Sequence, residues 1–592
     1  MRDLHQDNWD AFTLDTQYQT AGSSHELASL LVTEMIQYSL NVADKPIYLL
    51  ALDAQSAFDR CLRQALCTEL YVAGMDVAAI KLVDNRLKSR QTVYQWGDEM
   101  IGPPQDVTGF EQGGINSGDF YKLYNNEQLN RAQASELGVN IGSMIVSCVG
   151  QADDVVLSSN SLEDLLLLTK LNSSYCKQYR VKLVAAKTKL IVMCNPKHEL
   201  LVRYAKLTNR IVIDGTPVDF TSEAEHVGVI RSIHGNMQNI LNRIASYKKA
   251  LASVGCAGLS RSKRVNPAAS LRIHTLYAVP VLYSGLASLV LKASEMNIIA
   301  HHYKAIVQQL QRLHEKTPRS VVYLLGGCLP PEAILHMRQL SLFSMICRIP
   351  NDPLNKHGKY VLTHCKRSCK SWFFQILDLC DKYGFSHPLS YLEMPPNKLQ
   401  FRNLVKTQVV SYWHYELIQE CKGLKSLKYF RPELYSLAKP HYMWSNTGGK
   451  PYETSKATVQ ARMLSGRFRS EMFCRHFNSK NREGYCTASS CNNIPGTLEH
   501  ILATCPSLNS TREQMYSMCL ENTVMFPSLH QLIIDVLASS EETKTQFFLE
   551  PLSFQHVQQE SESIGPQYIQ TVSYITRTFV FRIYREYSLR FK

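Results

Sequence analysis

GQADDVVL (150–157) sets two adjacent aspartates, Asp153 and Asp154, between runs of apolar β-formers. SMIVSCVG (143–150) lies upstream and VVLSS (155–159) downstream. This pattern predicts a hairpin whose tight connection is Gln-Ala-Asp-Asp. Aspartate is also an ordinary turn residue, so an isolated pair would read as a solvated β-turn. The rest of the chain decides between turn and site.

At 592 residues the chain exceeds what one hydrophobic core supports and should divide into several domains. An apolar fraction of 45% and a charged fraction of 19% are globular values and exclude a disordered chain. The net charge is +13, and it is concentrated. Between Arg231 and Ser320 thirteen Lys or Arg face only Glu295 and Glu315. A local positive field of that kind suits a phosphate backbone. The 17 cysteines follow no short-period framework, which points to a reducing compartment, nuclear or cytoplasmic. MRDLHQDNWD contains no signal-peptide core, and LYAVPVLYSGLASLVL (276–291) is interrupted by Pro280 and Gly285. That stretch reads as buried helix, and no membrane partner is expected.

Helical periodicity covers 27–41, and Pro46 begins a strand, IYLLALD. A helix is expected from Ser56 through SAFDRCLRQALCTELYVAG, another near 76–88, and a strand in RQTVYQW (90–96). After the loop GPPQDVTGFEQGGINSG (102–118) come a helix to about Leu137, the aspartate hairpin, a helix at 161–178 and strands at 189–194 and 210–219. Interleaved strands and helices without a βαβ repeat predict an α+β fold, an antiparallel sheet with helices on one face. From about 236 to 450 the pattern is nearly all helical, and YITRTFVFRIYREYSLRF near the C-terminus reads as an amphipathic helix.

LDAQSAFD (52–59) places Asp53 where a strand runs out. Carboxylates on adjacent strands can hold two magnesium (or manganese) ions, roughly 3.5–4 Å apart, that clamp the oxygens of a phosphoryl transfer. Asp53 and Asp153 would suffice, with Asp154 as ligand or support. In EQGGINSG (111–118) glycines allow close backbone approach, and Asn116 or Ser117 can cap the next helix. AAKTKL (185–190) supplies a lysine able to reach a phosphate, and EHVGVI (225–230) follows. In the basic window, Lys248, Lys249, Arg261, Lys263 and Arg264 can track a duplex through phosphate contacts. Farther on, Cys486-x4-Cys491-x8-His500-x4-Cys505 has ligand pairs at spacings that suit one structural, tetrahedral Cys₃His zinc site, with Cys474 and His476 in reserve.

In order and spacing these motifs resemble the reverse transcriptase palm of non-LTR (LINE-type) retrotransposons. LDAQSAFD is similar to that family's first catalytic motif, EQGGINSG to its glutamine-glycine motif, QADD to its aspartate pair, and KTK and HVG to the motifs that close the palm. LLGGCLPPEAILHMRQLSLFSMICRIP (324–350) resembles the helical segment after the thumb, and GTLEHILATCPSLNSTR the C-terminal zinc-binding segment, which would grip RNA or target DNA. Gln151 stands where the family usually has an aromatic residue, and Gly118 where proline is usual.

The resemblance implies an RNA-directed DNA polymerase, a nucleotidyltransferase that copies an RNA template from a DNA primer or target with dNTPs. Asp53 and Asp153 would ligate both metals, with Asp154 beside them. Phe58 would stand under the nucleotide sugar and exclude a 2′-hydroxyl, Gln112 and Gly113 would contact nucleotide or template, and Lys187 the pyrophosphate side. The implied organisation is 1–45, a remnant of the fingers and palm entry; 46–232, the palm; 233–325, a basic helical thumb; 326–470, a helical connecting region; 471–512, the zinc-binding segment; and 513–592, a helical tail.

TLDTQYQTAGSSHELASLL (13–31) resembles the stretch just after the fingers strands, so most of the fingers is expected to be absent. No endonuclease is expected, because no nuclease carboxylate cluster follows Cys505. The alternative is an inactive or co-opted retroelement-derived nucleic-acid-binding protein. A DNA-templated polymerase or RNA-dependent RNA polymerase fits Phe58 and the zinc segment less well.

Overall fold

The computed structural model describes residues 16–18, 23–89, 93–102, 109–110, 114, 116–208, 211–255, 265–468, 470–474 and 484–589. The chain gathers into two compact units, each discontinuous in sequence. One comprises Met1–Asn242, Tyr283–Glu295 and Leu335–Lys406; the other comprises Arg243–Leu282, Met296–Ile334 and Thr407–Lys592. The architecture is α+β, as expected, with a small mixed sheet among many helices.

The sheet lies in the first unit. Its strands are β1 (Ile47–Leu52), β2 (Cys148–Gln151), β3 (Asp154–Ser159), β4 (Lys189–Met193) and β5 (Phe220–Thr221), in the order β5-β4-β1-β3-β2. β1 pairs antiparallel with both β3 and β4, and β5 joins β4 in parallel. β1 is central because its sequence, IYLLAL, can be buried on both faces. Tyr48, Leu50 and Leu52 pack with Leu157, Leu190 and with Leu165 and Leu168 of helix Leu162–Tyr179. Ile47 and Leu49 alternate to the other face and are equally buried. Helix α1 (His25–Asn41) packs against β1 and β2. The sheet is therefore covered on both faces, not on one as the sequence suggested.

α1 is anchored by buried polar groups. Glu34 accepts from the Trp372 backbone N–H at 2.8 Å and lies 3.2 Å from His357 Nε2. A second hairpin, β6 (Glu223–His226) with β7 (Val229–Ser232), is tied to the same helix through Arg231. Its guanidinium donates to Thr33 Oγ1 at 2.8 Å and to the Ser29 carbonyl at 2.6 Å. These bonds offset the burial that lowers the Arg231 pKa to about 9.

The helix expected from Ser56 starts only at Arg63. Ser56 has φ +50°, and the carbonyl of Phe58, which a helix would offer to Leu62, accepts from Phe110 N–H at 2.8 Å. Leu62 N–H donates instead to the Tyr124 hydroxyl at 3.2 Å. The strand expected in 90–96 shortens to Tyr94–Trp96, paired with Glu99–Ile101, and 210–219 yields two-residue pairings only. The stretch 276–291 is broken as well. A π turn, His274–Ala278, precedes Pro280, which cannot donate a helical hydrogen bond, and Leu276 and Tyr277 are exposed.

The second unit is helical. Its longest C-terminal element, Pro566–Ser588, buries Tyr568, Val572, Ile575, Phe579 and Ile583 along one stripe, the amphipathic pattern expected from the sequence. Phe579 stacks on Phe548 with ring centroids 3.6 Å apart. Burial of each such side chain contributes about 1.5–3 kcal/mol. No helix among the described residues is long and apolar enough to cross a membrane.

Candidate active site and metal centre

Register builds the carboxylate site. β1 and β3 pair Leu52 with Val155, so the next residues, Asp53 and Asp154, come side by side where both strands reach the same edge of the sheet. The connection between β2 and β3 is two residues, Ala152 and Asp153, with Gln151 paired to Asp154. Ala152 holds φ +55°, a left-handed conformation that L-residues disfavour. Asn125 Nδ2 fixes it by donating to the Ala152 carbonyl at 2.9 Å. The segment 16–18 adds a parallel bridge at Gly150, with Tyr18 N–H donating to the Gly150 carbonyl at 2.8 Å.

Asp53 and Asp154 open into a cleft of about 510 Å³ that Lys187, Lys189, Glu223 and Glu225 also line. Lys187 Nζ lies 3.6 Å from Asp53 Oδ1. Both side chains reach solvent, so the pair is worth about 0–1 kcal/mol and gives way easily. Asp154 keeps exposed surface, yet its partial enclosure in the cleft pushes its carboxyl up to about 6, helped by the like charges of Asp153, Glu225 and Asp53. Four cleft carboxylates against two lysines leave a negative, oxygen-rich site, which is a donor set that hard divalent cations fit. Glu223 and Glu225 were not foreseen as part of it. Their signal is the alternation in EAEH, where exposed glutamates alternate with buried Ala224 and His226.

Asp153 precedes Asp154 in the turn. It is exposed in the turn and is not part of the cleft wall; its charge acts on Tyr121, whose phenol is raised mainly by burial. Tyr121 stacks on Phe58, with ring centroids 4.6 Å apart. Asp154 thus lines the cleft with Lys187 and the acidic hairpin, while Asp153 sits in the adjoining turn, its charge reaching both Asp154 and Tyr121. Phe58 is half-buried, and its backbone is clamped by a residue that sequence reasoning missed. Gly109 has φ +85°, and a Cβ there would lie 2.3 Å from the Phe58 carbonyl oxygen. Gln112 and Gly113 lie outside the described residues.

The closing hairpin forms the other wall. Val227 and Gly228 both have positive φ, +47° and +74°, the requirement of a tight two-residue β-turn. His226, immediately before them, is buried, and burial followed by the Arg231 charge lowers its pKa to about 3.

Of the expected backbone-binding residues, Lys248 and Lys249 are exposed on helix Met237–Val254, which buries Ile240, Ile244 and Tyr247. Arg261, Lys263 and Arg264 lie outside the described residues.

In the second unit Cys486, Cys491, His500 and Cys505 converge as the sequence predicted. All four are buried, and their ligand atoms lie within 4.8 Å of one another. Cys491 Sγ is 3.6 Å from Cys505 Sγ. A short hairpin presents the first pair, with Cys486 N–H donating to the Ile494 carbonyl at 2.8 Å. A π turn, His500–Thr504, presents the second, with Cys505 N–H donating to the His500 carbonyl at 2.7 Å. Burial pushes the Cys486 thiol up to about 12, with smaller contributions from the neighbouring thiols. His500 Nε2 is buried and finds no hydrogen-bond partner among the described residues. An orphaned imidazole nitrogen among three thiols fits a zinc ion. Arg512 braces the site by donating to the Cys505 and Leu502 carbonyls at 3.0 and 3.1 Å. Cys474 ends helix Glu471–Cys474, but its side chain and His476 lie outside the described residues.

Comparison of the chain with models of known protein families and with curated proteins finds no match.

Proposed function

We propose that this chain is an RNA-directed DNA polymerase of the LINE type, with Ile47–Ser232 as its palm, the basic helical stretch after it as thumb and the Cys₃His cluster as a nucleic-acid grip. The observation that carries the proposal is the strand pairing that brings Asp53 and Asp154 together at one edge of the sheet, with Asp153 in the turn that leads into Asp154. Nothing in a solvated turn requires a third carboxylate from another strand at the same edge.

Asp53 and Asp154 would hold the cations, with Asp153 completing the set on the nucleotide side. Magnesium bound there would neutralise the triphosphate and favour ionisation of the primer 3′-hydroxyl. Lys187, loosely held by Asp53, is free to turn to the leaving pyrophosphate. Phe58, braced by Tyr121 and by Gly109–Phe110, would meet the sugar and select dNTPs by shape. Lys248 and Lys249 would follow the phosphates of the RNA–DNA duplex.

Primer extension on an RNA template with dNTPs and magnesium tests the proposal. Asp53→Ala and Asp154→Ala should each lower nucleotide addition by several orders of magnitude while leaving folding intact. Parent-level extension by either variant sinks the polymerase reading. A second reading, a nucleic-acid-binding protein derived from such an element, draws on Gln151. Its Oε1 is buried without a hydrogen-bond partner among the described residues, at a position where the family usually has an aromatic ring. No extension by the parent, combined with tight binding of RNA, would select that reading.

A further inference from the structure

The two halves of the Cys₃His cluster differ in how they are held. Cys486 and Cys491 come from a hairpin in which Thr487, Ser489, Ser490 and residues 492–495 are exposed. A solvated hairpin of this kind is held by few contacts, so its anchors decide where its two thiols stand. Arg512 anchors the other pair through the Cys505 and Leu502 carbonyls. The first pair has an anchor of a different kind.

Glu471, at the start of helix Glu471–Cys474, is only 3% exposed. Its Oε1 accepts from the backbone N–H and the hydroxyl of Thr487, both at 3.4 Å, and Thr487 directly follows Cys486. Its Oε2 accepts from the hydroxyl of Tyr587, a buried residue near the end of helix Pro566–Ser588. The carboxylate meets no cation among the described residues, although glutamate is seldom buried unless paired. Three donors converge here, a demand that suits a carboxylate because its oxygens only accept when ionised.

Gly496, on the returning side of the hairpin, makes room for this acid. A Cβ there would lie 2.5 Å from Glu471 Oε2 and 2.7 Å from Glu471 Cβ, so glycine is required for the close approach. The backbone makes the same connection. Gly496 N–H donates to the Gly484 carbonyl at 2.9 Å, and the Gly496 carbonyl accepts from Met472 N–H at 3.3 Å. We propose that Glu471 is a positioning residue of the zinc site, which holds the Cys486 hairpin against the second ligand pair and ties it to the C-terminal helix through Tyr587. Polar groups behind metal ligands fix their orientation, and losing one weakens metal binding about 10–100-fold. By linkage, zinc in the cluster and Tyr587 on Glu471 stabilise each other. The assignment rests on zinc as the occupant of the cluster and not on the polymerase reading.

The test titrates the full chain with zinc ion under reducing conditions, in competition with a chromophoric chelator. Glu471→Ala should weaken zinc binding about 10–100-fold, and Gly496→Ala, which drives a Cβ into the carboxylate, should do the same. Glu471→Gln should stay within about threefold of the parent, because its amide oxygen still accepts from Thr487 and its amide nitrogen can donate to the Tyr587 hydroxyl oxygen. Tyr587→Phe removes a single hydroxyl and serves if the alanine variants disturb folding; it should weaken binding about 2–10-fold. Thermal unfolding separates this role from a purely structural one. At one fixed free-zinc concentration, the rise in midpoint that zinc produces should be smaller in Glu471→Ala than in the parent, whereas a structural role would lower the midpoints with and without zinc alike. Unchanged zinc affinity in Glu471→Ala and Tyr587→Phe, a loss that Glu471→Gln shares in full, or an equal zinc-dependent rise overturns the proposal. A parent that binds no zinc overturns it together with the metal assignment.

Discussion

Replacing Cys491 with serine should empty the Cys₃His cluster of metal and leave the rest of the fold in place. With zinc–sulfur bonds of about 2.3 Å, a regular tetrahedron has sulfur–sulfur edges of about 3.8 Å. The Cys491–Cys505 separation, 3.6 Å, is already near that value, so binding requires little rearrangement. Structural zinc in finger peptides binds with about 10–16 kcal/mol of apparent free energy. If one of four ligands carries roughly a quarter of it, about 2.5–4 kcal/mol, its loss weakens zinc binding by roughly 70- to 900-fold. Protein purified under reducing conditions and dialysed against a moderate chelator should retain about one zinc per chain in the parent and far less in Cys491→Ser. Limited proteolysis should then cut the variant between Gly484 and Leu508. The surrounding helices should resist, because their core of Phe548 and Phe579 does not involve the ligands. A parent with no zinc, or a variant that keeps zinc equally well, would refute the metal assignment.

Gly109→Ala should cost at least about 2 kcal/mol, since the left-handed backbone alone costs about 1–2 and the new Cβ strikes the Phe58 carbonyl; denaturant unfolding measures it, and a loss under about 0.5 kcal/mol would discard the clamp. Ala152→Gly should stabilise by about 0.5–1 kcal/mol by relieving the positive φ of a small side chain, whereas Ala152→Val should destabilise; the reverse order would show that the turn is unstrained. Glu453→Gln tests pH dependence. Burial alone would raise the Glu453 pKa, but hydrogen bonds from Lys456 and Arg577 outweigh it and hold the group below the usual glutamate range. Its contribution is therefore present above the unfolded-state pKa and lost as pH falls through the lower folded value. Parent and variant should differ most near neutrality, by about 1.5–3 kcal/mol for a part-buried charged hydrogen-bond pair, and converge in acid. A difference that does not change with pH would remove Glu453 from the charge network.

The Cys₃His cluster was legible because its geometry is local. Cys486, Cys491, His500 and Cys505 lie within twenty residues, and one hairpin and one turn bring them together. The interruption after Ser56 was not legible, because what competes for the helix's hydrogen bonds is the hydroxyl of Tyr124, 62 residues from Leu62, and the backbone of Phe110. Nor did the apolar run IYLLAL reveal that its second face would be covered by a helix beginning at His25.

The carboxylate site falls between these cases. That Asp53 and the aspartate pair share one edge of the sheet follows from strand ends and a hairpin, both visible in the residues. Which aspartate joins Asp53 in the cleft does not, because it depends on the length of the turn. Side chains alternate along a strand, so moving the turn by one residue exchanges the two. The two-residue turn at Ala152–Asp153 makes Asp154 the first residue of its strand, and the pairing of Leu52 with Val155 then sets it opposite Asp53. Asp153, left in the turn, acts through its charge on both Asp154 and Tyr121. The sequence reading ranked Asp153 above Asp154 as Asp53's partner; the register sets Asp154 opposite Asp53 and leaves Asp153 in the adjoining turn. Removing Asp154 should therefore weaken divalent-cation binding in the cleft shared with Asp53 and Lys187 more than removing Asp153, which does not line it, and equal loss in the two variants on titration with the cation would refute this division.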